Sequence, residues 1–154
     1  EARFYIVGSK PTKEVVSLAS NSGVTVTGYV PDTREYLNKA TVVVVPLRIA
    51  RGIQNKILEA MAMAIPVIAT PQAFEGINAT SHEDLLVKET PGDFAQAVVE
   101  LLCDPNLRNK LGNNARCKIG LNYSWAKDLG KLSRLLLTIG QSPKSEGVDS
   151  LQMS

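Results

Sequence analysis

Thr41-Val42-Val43-Val44-Val45-Pro46, then Gly52 to Met63, then Ile65-Pro66-Val67-Ile68-Ala69-Thr70 follow one another as strand, helix and strand, and this stretch decides the fold. The consecutive β-branched residues up to Val45 leave no polar face, which is the pattern of a strand covered on both sides, as in a parallel sheet between helix layers. Between Gly52 and Met63, Ile53, Ile57 and Met61 return at helical spacing and predict one apolar helix face.

The same alternation extends outward on both sides. Phe4-Tyr5-Ile6-Val7-Gly8 is an apolar run ending in glycine, the form of a buried parallel strand. Pro11 with Val15, Val16, Leu18 and Ala19 predicts a helix that stops at Asn21-Ser22-Gly23, and Val24-Thr25-Val26-Thr27-Gly28 a second strand. Asp32 and Glu35 stand at capping-box spacing before a short helix carrying Tyr36 and Leu37. Leu85-Leu86-Val87 reads as a fifth strand, and Asp93 to Cys103 and Asn106 to Ile119 as two helices. Trp125, Leu129, Leu132, Leu136 and Ile139 recur at the spacing of a last helix. Residues 140–154 are polar, lack periodicity and read as a disordered tail, which leaves residues 1–139 as one folded domain.

Strands alternating with helices predict an α/β, Rossmann-like doubly wound parallel sheet, because parallel neighbours need right-handed crossovers. Ligands bind such sheets at the carboxyl ends of the strands. That rule selects the loops at Gly8-Ser9, Gly28 to Asp32, Pro46 to Asn55 and Thr70 to Gly76.

The loop from Pro46 to Asn55 carries the clearest chemistry. It holds Arg48, Arg51 and Gly52 and runs into a helix start with Ile53, Gln54, Asn55 and Lys56, where free amides and the helix dipole favour an anion such as a diphosphate. Gly52 lets the backbone approach such a ligand closely. Glu59 lies one to two turns into the helix between Leu58 and Ala60, and a carboxylate in apolar company ordinarily has a dedicated partner. A lysine on the helix surface is one reading of that partner, and the adjacent hydroxyls of a ribose are the other.

From Phe4 to about Leu136 the chain resembles the carboxyl-terminal, donor-binding domain of family-four retaining glycosyltransferases of GT-B architecture. Ile57-Leu58-Glu59-Ala60-Met61-Ala62 followed by Ile65-Pro66-Val67-Ile68 carries the resemblance, and Pro46 to Lys56 is most similar to the sugar transferases of exosortase-associated exopolysaccharide clusters. The resemblance implies a sugar moved from a nucleotide diphosphate donor with retention, without cofactor or metal. It also implies a separate amino-terminal domain that supplies the acceptor site, so that this chain alone binds donor without turnover. In that family two glutamates with seven residues between them embrace the donor. Glu59 matches the one on the ribose, and Arg51 stands where the one on the transferred sugar belongs. Ala64 occupies a position where the family carries glycine. The resemblance further places the nucleobase beside Gly28-Tyr29-Val30-Pro31-Asp32, with backbone bonds from Val30 and a carboxylate at Asp32 facing a guanine edge. Gly8 joins the same rim. The family's leaving-group arginine and lysine have no match, since Arg3 and Lys10 come too late in the pattern, and no residue is assigned a catalytic role.

The whole chain excludes other classes. Its 154 residues suit one domain, and 44% hydrophobic with 21% charged residues is ordinary globular composition. A net charge of +2 without a basic stripe argues against nucleic acid. No apolar run is long enough to cross a bilayer and no signal peptide opens the chain, so the address is cytoplasmic, with a peripheral seat at the inner membrane face open to the full-length protein. Cys103 and Cys117 lack metal spacing, and the lone His82 sits in a polar turn. The chain opens at Glu1 almost directly into a strand and reads as a piece of something larger. Two rivals stay open: a nucleotide-binding module of the same fold that has lost catalysis, and a sugar-nucleotide epimerase, for which His82 is poorly placed. The face of Leu129, Leu132 and Leu136, without a partner domain, is expected to drive homodimerisation.

Overall fold

A computed structural model describes residues 2–123 of the chain. Its elements run β1 (Phe4–Val7), α1 (Lys13–Ser17), β2 (Val24–Gly28), α2 (Arg34–Leu37), β3 (Val43–Val45), α3 (Asn55–Ala62), β4 (Val67–Ala69), α4 (Pro71–Phe74), β5 (Leu86–Val87), α5 (Pro91–Cys103) and α6 (Pro105–Asn122), with a 3₁₀ turn at Leu18–Ser20 closing α1. Every strand pairing among the described residues is parallel. The architecture is α/β with helices between successive strands, as the sequence predicts.

The strands fall into two hydrogen-bonded groups, β1-β2 and β3-β4-β5, and not into one ladder. Burial follows this division. Phe4 and Tyr5 on β1 are each 46% exposed, and Val16 and Leu18 beyond it are also exposed. Among the described residues, the fully buried core lies in the second group and its helices.

There the alternation of side chains separates two layers. Val67 and Ala69 on β4 pack with Val45, Ile57, Ala60, Met61 and Leu85 on one face. Ile68 turns to the other face and packs with Leu86, Ala97, Leu101 and Leu111. All three β4 residues have no exposed surface, which places β4 at the centre of a sheet covered on both sides. Ile57 and Met61 are also fully buried, and burial of side chains of this size contributes about 1.5–3 kcal/mol each.

Several boundaries differ from the sequence reading. α3 begins at Asn55, not Gly52, so Ile53 lies in the preceding loop and is 51% exposed, while Ile57 and Met61 keep the core face. Thr70 caps an additional short helix, α4, whose first position is Pro71, in a stretch that reads as loop. The signal was present as threonine followed by proline at a first helical position. The last helix through Trp125 to Ile139, its dimerisation face and the tail 140–154 lie outside the described residues. No helix among the described residues is long and apolar enough to cross a membrane.

Candidate functional site

Gly8 follows β1 directly, Gly28 ends β2 and Gly52 lies in the loop after β3, each with free space above it. The Gly8 amide donates to the Gly28 carbonyl at 3.3 Å, joining the first two ends. Gly28 and Gly52 have φ of 68° and 67°, where side chains are strained, and a β-carbon at Gly8, Gly28 or Gly52 would meet nothing within 4 Å. A side chain at any of these positions would therefore face open space and not a packed interior.

The Pro46–Asn55 loop is held at both ends. Thr70 Oγ1 donates to the Leu47 carbonyl at 2.5 Å and accepts from the Ala73 amide at 3.2 Å, which ties the loop's start to α4. Gln54 Nε2 donates to the Gly52 carbonyl at 3.0 Å, folding the loop's end upon itself. Ile53 lies beside Gly76, whose φ of 80° turns the chain there. The loops after β3 and β4 are thus in contact.

The start of α3 differs from the other described helix starts. Side-chain oxygens of Thr12, Thr70, Thr90 and Asp104 cap α1, α4, α5 and α6, and Asp32 serves the first amide of α2. At α3 the capping position is Gln54, and no side-chain oxygen accepts from the first amides of the helix. Arg48, Arg51 and Lys56 are exposed around this end, and none forms an ion pair among the described residues. Uncapped amides, the positive end of the helix dipole and three unpaired cations make this a receptive place for an anion.

Glu59 differs from its sequence reading. It is exposed, so the apolar company of Leu58 and Ala60 in sequence is not its surroundings in space, and no lysine pairs with it among the described residues. It lines an open cavity of about 440 Å³ with Asp32, Thr33, Arg34, Ala62 and Met63, between the start of α2 and the carboxyl-terminal half of α3.

Asp32 also departs from expectation. The capping box with Glu35 does not form. The Asp32 carboxylate accepts from the Arg34 amide at 2.9 Å and from the Arg34 guanidinium, Nη2 to Oδ2 at 2.8 Å. Hydrogen bonds from the Arg34 side chain and backbone hold the Asp32 carboxyl below the usual carboxylate range. Arg34 is correspondingly raised, by its bonds to Asp32 first and with a smaller contribution from the charge of Glu59. Sequence reasoning passed over Arg34; an aspartate two residues before an arginine at a helix start was the available signal. Val30 is half-buried, and neither its amide nor its carbonyl has a hydrogen-bond partner among the described residues.

The structure thus joins Asp32 and Glu59 in one cavity, while Arg51 to Lys56 at the start of α3, and Gly8 and Val30, lie outside its lining. A second cavity of about 320 Å³ is lined by Thr41, Pro66, Arg108 and Asn109 at the amino ends of β3 and β4. That is the wrong end of a parallel sheet for ligands, and the Arg108 guanidinium is engaged with the Leu101 and Leu102 carbonyls. His82 is exposed in a turn at φ 67°, and both cysteines are exposed. Among the described residues no group of histidine, cysteine and acidic side chains could hold a metal ion.

A family model described as glycosyl transferases group 1 matches residues 1–104. A glycosyltransferase 1 domain-containing protein 1 from Xenopus tropicalis is 31% identical over 93 residues, covering 59% of this chain and 26% of that protein. The capsular polysaccharide biosynthesis glycosyltransferase CapM of Staphylococcus aureus is 28% identical over 137 residues, covering 79% of this chain and 34% of that protein. The chain therefore spans between a quarter and about a third of the length of these curated relatives. Among solved structures, Anabaena Alr3699/HepE in complex with UDP superposes with a TM-score of 0.77 at 13% identity, over 89% of this chain and 41% of that one, which is a likeness of fold.

Proposed function

The chain belongs to the group 1 glycosyl transferases, and on that premise we propose that it is the donor-binding half of a retaining enzyme that moves a sugar from a nucleoside diphosphate in polysaccharide or glycoconjugate synthesis. The observation that carries the reading is the uncapped start of α3, with Arg48, Arg51 and Lys56 exposed in the loop before it and its first turn, on the same helix whose Glu59 lines a cavity and forms no ion pair among the described residues. The amides of residues 52–55 and the three cations would bind the diphosphate, and Glu59 would accept from the ribose hydroxyls. The UDP held by HepE and the capsular role of CapM support the donor and the product class.

Catalysis in this reading is electrostatic. Negative charge grows on the diphosphate as the sugar–oxygen bond breaks, and donors fixed in place before the reaction stabilise it without reorganisation. The reaction uses no metal or cofactor. Arg51, exposed and unpaired at the helix start, would face the transferred sugar and favours one that carries a negative charge. The acceptor site belongs to a second domain of the cytoplasmic full-length enzyme, and its closure over the donor would exclude water.

Calorimetric titration of this chain with UDP, GDP and ADP tests the reading. Binding of at least one of them is expected, weakened about tenfold, or about 1.4 kcal/mol, by Glu59→Ala. Binding that Glu59→Ala leaves unchanged would remove the ribose role, and failure of all three to bind would remove the donor-site reading.

A further inference from the structure

We infer that Tyr123 is a positioning residue for the basic loop after β3: its hydroxyl fixes the segment that holds Gly76 against Ile53, an inference that rests on the donor-site reading above. The connection from α4 to β5, residues 75–85, meets the basic loop at Gly76, where a β-carbon would lie 3.6 Å from Ile53 Cγ1. Ile53 immediately precedes Gln54, the capping position of α3, and its amide is among those of residues 52–55 that would meet the diphosphate. Whatever holds Gly76 in place therefore bears on the direction of those amides.

The connection is fastened to α6 in two separate parts. Residues 80–84 close on themselves, the Thr80 amide donating to Asp84 Oδ2 at 2.8 Å and the Asp84 amide to the Thr80 carbonyl at 2.9 Å. α6 holds this turn with Lys118, whose Nζ lies 3.5 Å from Asp84 Oδ2, and with Asn114, whose Nδ2 donates to the Glu83 carbonyl at 3.0 Å. The part nearer the basic loop has different anchors. The Ile77 side chain is buried in the core, and the Asn78 amide donates to the Tyr123 hydroxyl at 2.9 Å. Tyr123 is itself fixed as the cap of α6, its amide donating to the Ile119 carbonyl.

A buried side chain at Ile77 alone leaves the main chain free to turn about it, and a second anchor on the next amide removes that freedom. Both anchors lie within two residues of Gly76. The Asn78–Tyr123 bond is open to solvent, so without the hydroxyl the amide turns to water and little stability is lost. What is lost is position. An anion site made of amides works by having them aimed before the ligand arrives, and each freedom returned to the loop must be removed again on binding.

The test compares the native chain with Tyr123→Phe, which keeps the ring and loses the acceptor, and with Asn114→Ala, which cuts α6 from the turn at 80–84 instead. Three quantities are measured: the amide resonances of residues 52–55 in the unliganded chain, the affinities for UDP, GDP and ADP, and the melting temperature. Tyr123→Phe is expected to move the resonances of Ile53 and Gln54 and to weaken the tightest of the three nucleotides about threefold to tenfold, the span of one lost hydrogen bond, with the melting temperature nearly unchanged. Asn114→Ala is expected to leave those resonances and affinities as in the native chain. Nucleotide affinity that Tyr123→Phe retains in full, resonances at 52–55 that it does not move, or equal effects from both variants would overturn the positioning role and leave the donor site standing. A native chain that binds none of the three would overturn the donor site, and this role with it.

Discussion

Gly112 of α6 packs directly on the backbone carbonyl of Ala64, at the turn between α3 and β4, and leaves no room for a β-carbon. The neighbour is main chain, so it cannot rotate aside as a side chain would. The contact sets how closely α6 approaches the α3–β4 turn, and both Gly112 and the adjacent Leu111 and Ala115 are buried.

Gly112→Ala should therefore be costly although it favours a helix intrinsically. Overpacking of this kind costs roughly 1–3 kcal/mol, and a rigid backbone neighbour places it at the upper end. A chemical denaturation curve should show the midpoint falling with little change in slope. A variant as stable as the native chain would mean that α6 can slide outward without loss.

Ala64 itself is held at φ 57°, where an L-residue is strained. Ala64→Gly should raise stability by about 0.5–1 kcal/mol, the relief of left-handed strain exceeding the added freedom of the unfolded chain. The same melt or denaturant curve measures it, and a destabilised variant would show that the methyl group contributes packing that outweighs the strain.

Thr70 Oγ1 joins the Leu47 carbonyl to the first turn of α4 while nearly buried. Thr70→Val keeps the shape and loses both bonds. A cap and a buried hydrogen bond lost together should cost about 1–3 kcal/mol. Loss of nucleotide affinity should accompany the fall in melting temperature, because the Leu47 end of the basic loop would be released. A stability loss with unchanged affinity would separate the loop's anchoring from its ligand.

How much of this was legible follows from which interactions are local. Residues 41–70 read as strand, helix and strand because β-branched runs and helical spacing report burial directly, and the structure buries Val45, Ile57, Met61, Val67 and Ile68 accordingly. The division of the strands into two groups was not legible, since strand order depends on partners far apart in sequence. Glu59 was singled out by apolar neighbours in sequence that do not surround it in space, yet it does reach a cavity. Asp32 was assigned to a cap with Glu35, and the competing partner Arg34 won because a guanidinium offers a charged fork where a backbone amide offers one neutral donor. The helix start at Asn55 was missed because the helix has no side-chain cap to announce it, and that same absence is what leaves its first amides free.

The Asp32–Arg34 pair carries a sign for acid titration that a nuclear magnetic resonance measurement of the Asp32 carboxyl can check. The folded carboxyl titrates below its unfolded value, with the Arg34 hydrogen bonds as the main cause. Above the unfolded value, near pH 3.9, the pair's contribution is fully present, and it is lost as pH falls through the lower folded value. Both groups are open to solvent, so screening by salt should weaken the shift. In Arg34→Ala the Asp32 carboxyl should return to the ordinary aspartate range and lose its salt dependence. If it titrates in that range in the native chain as well, the fork is not maintained in solution, and the carboxylate is free to meet a base.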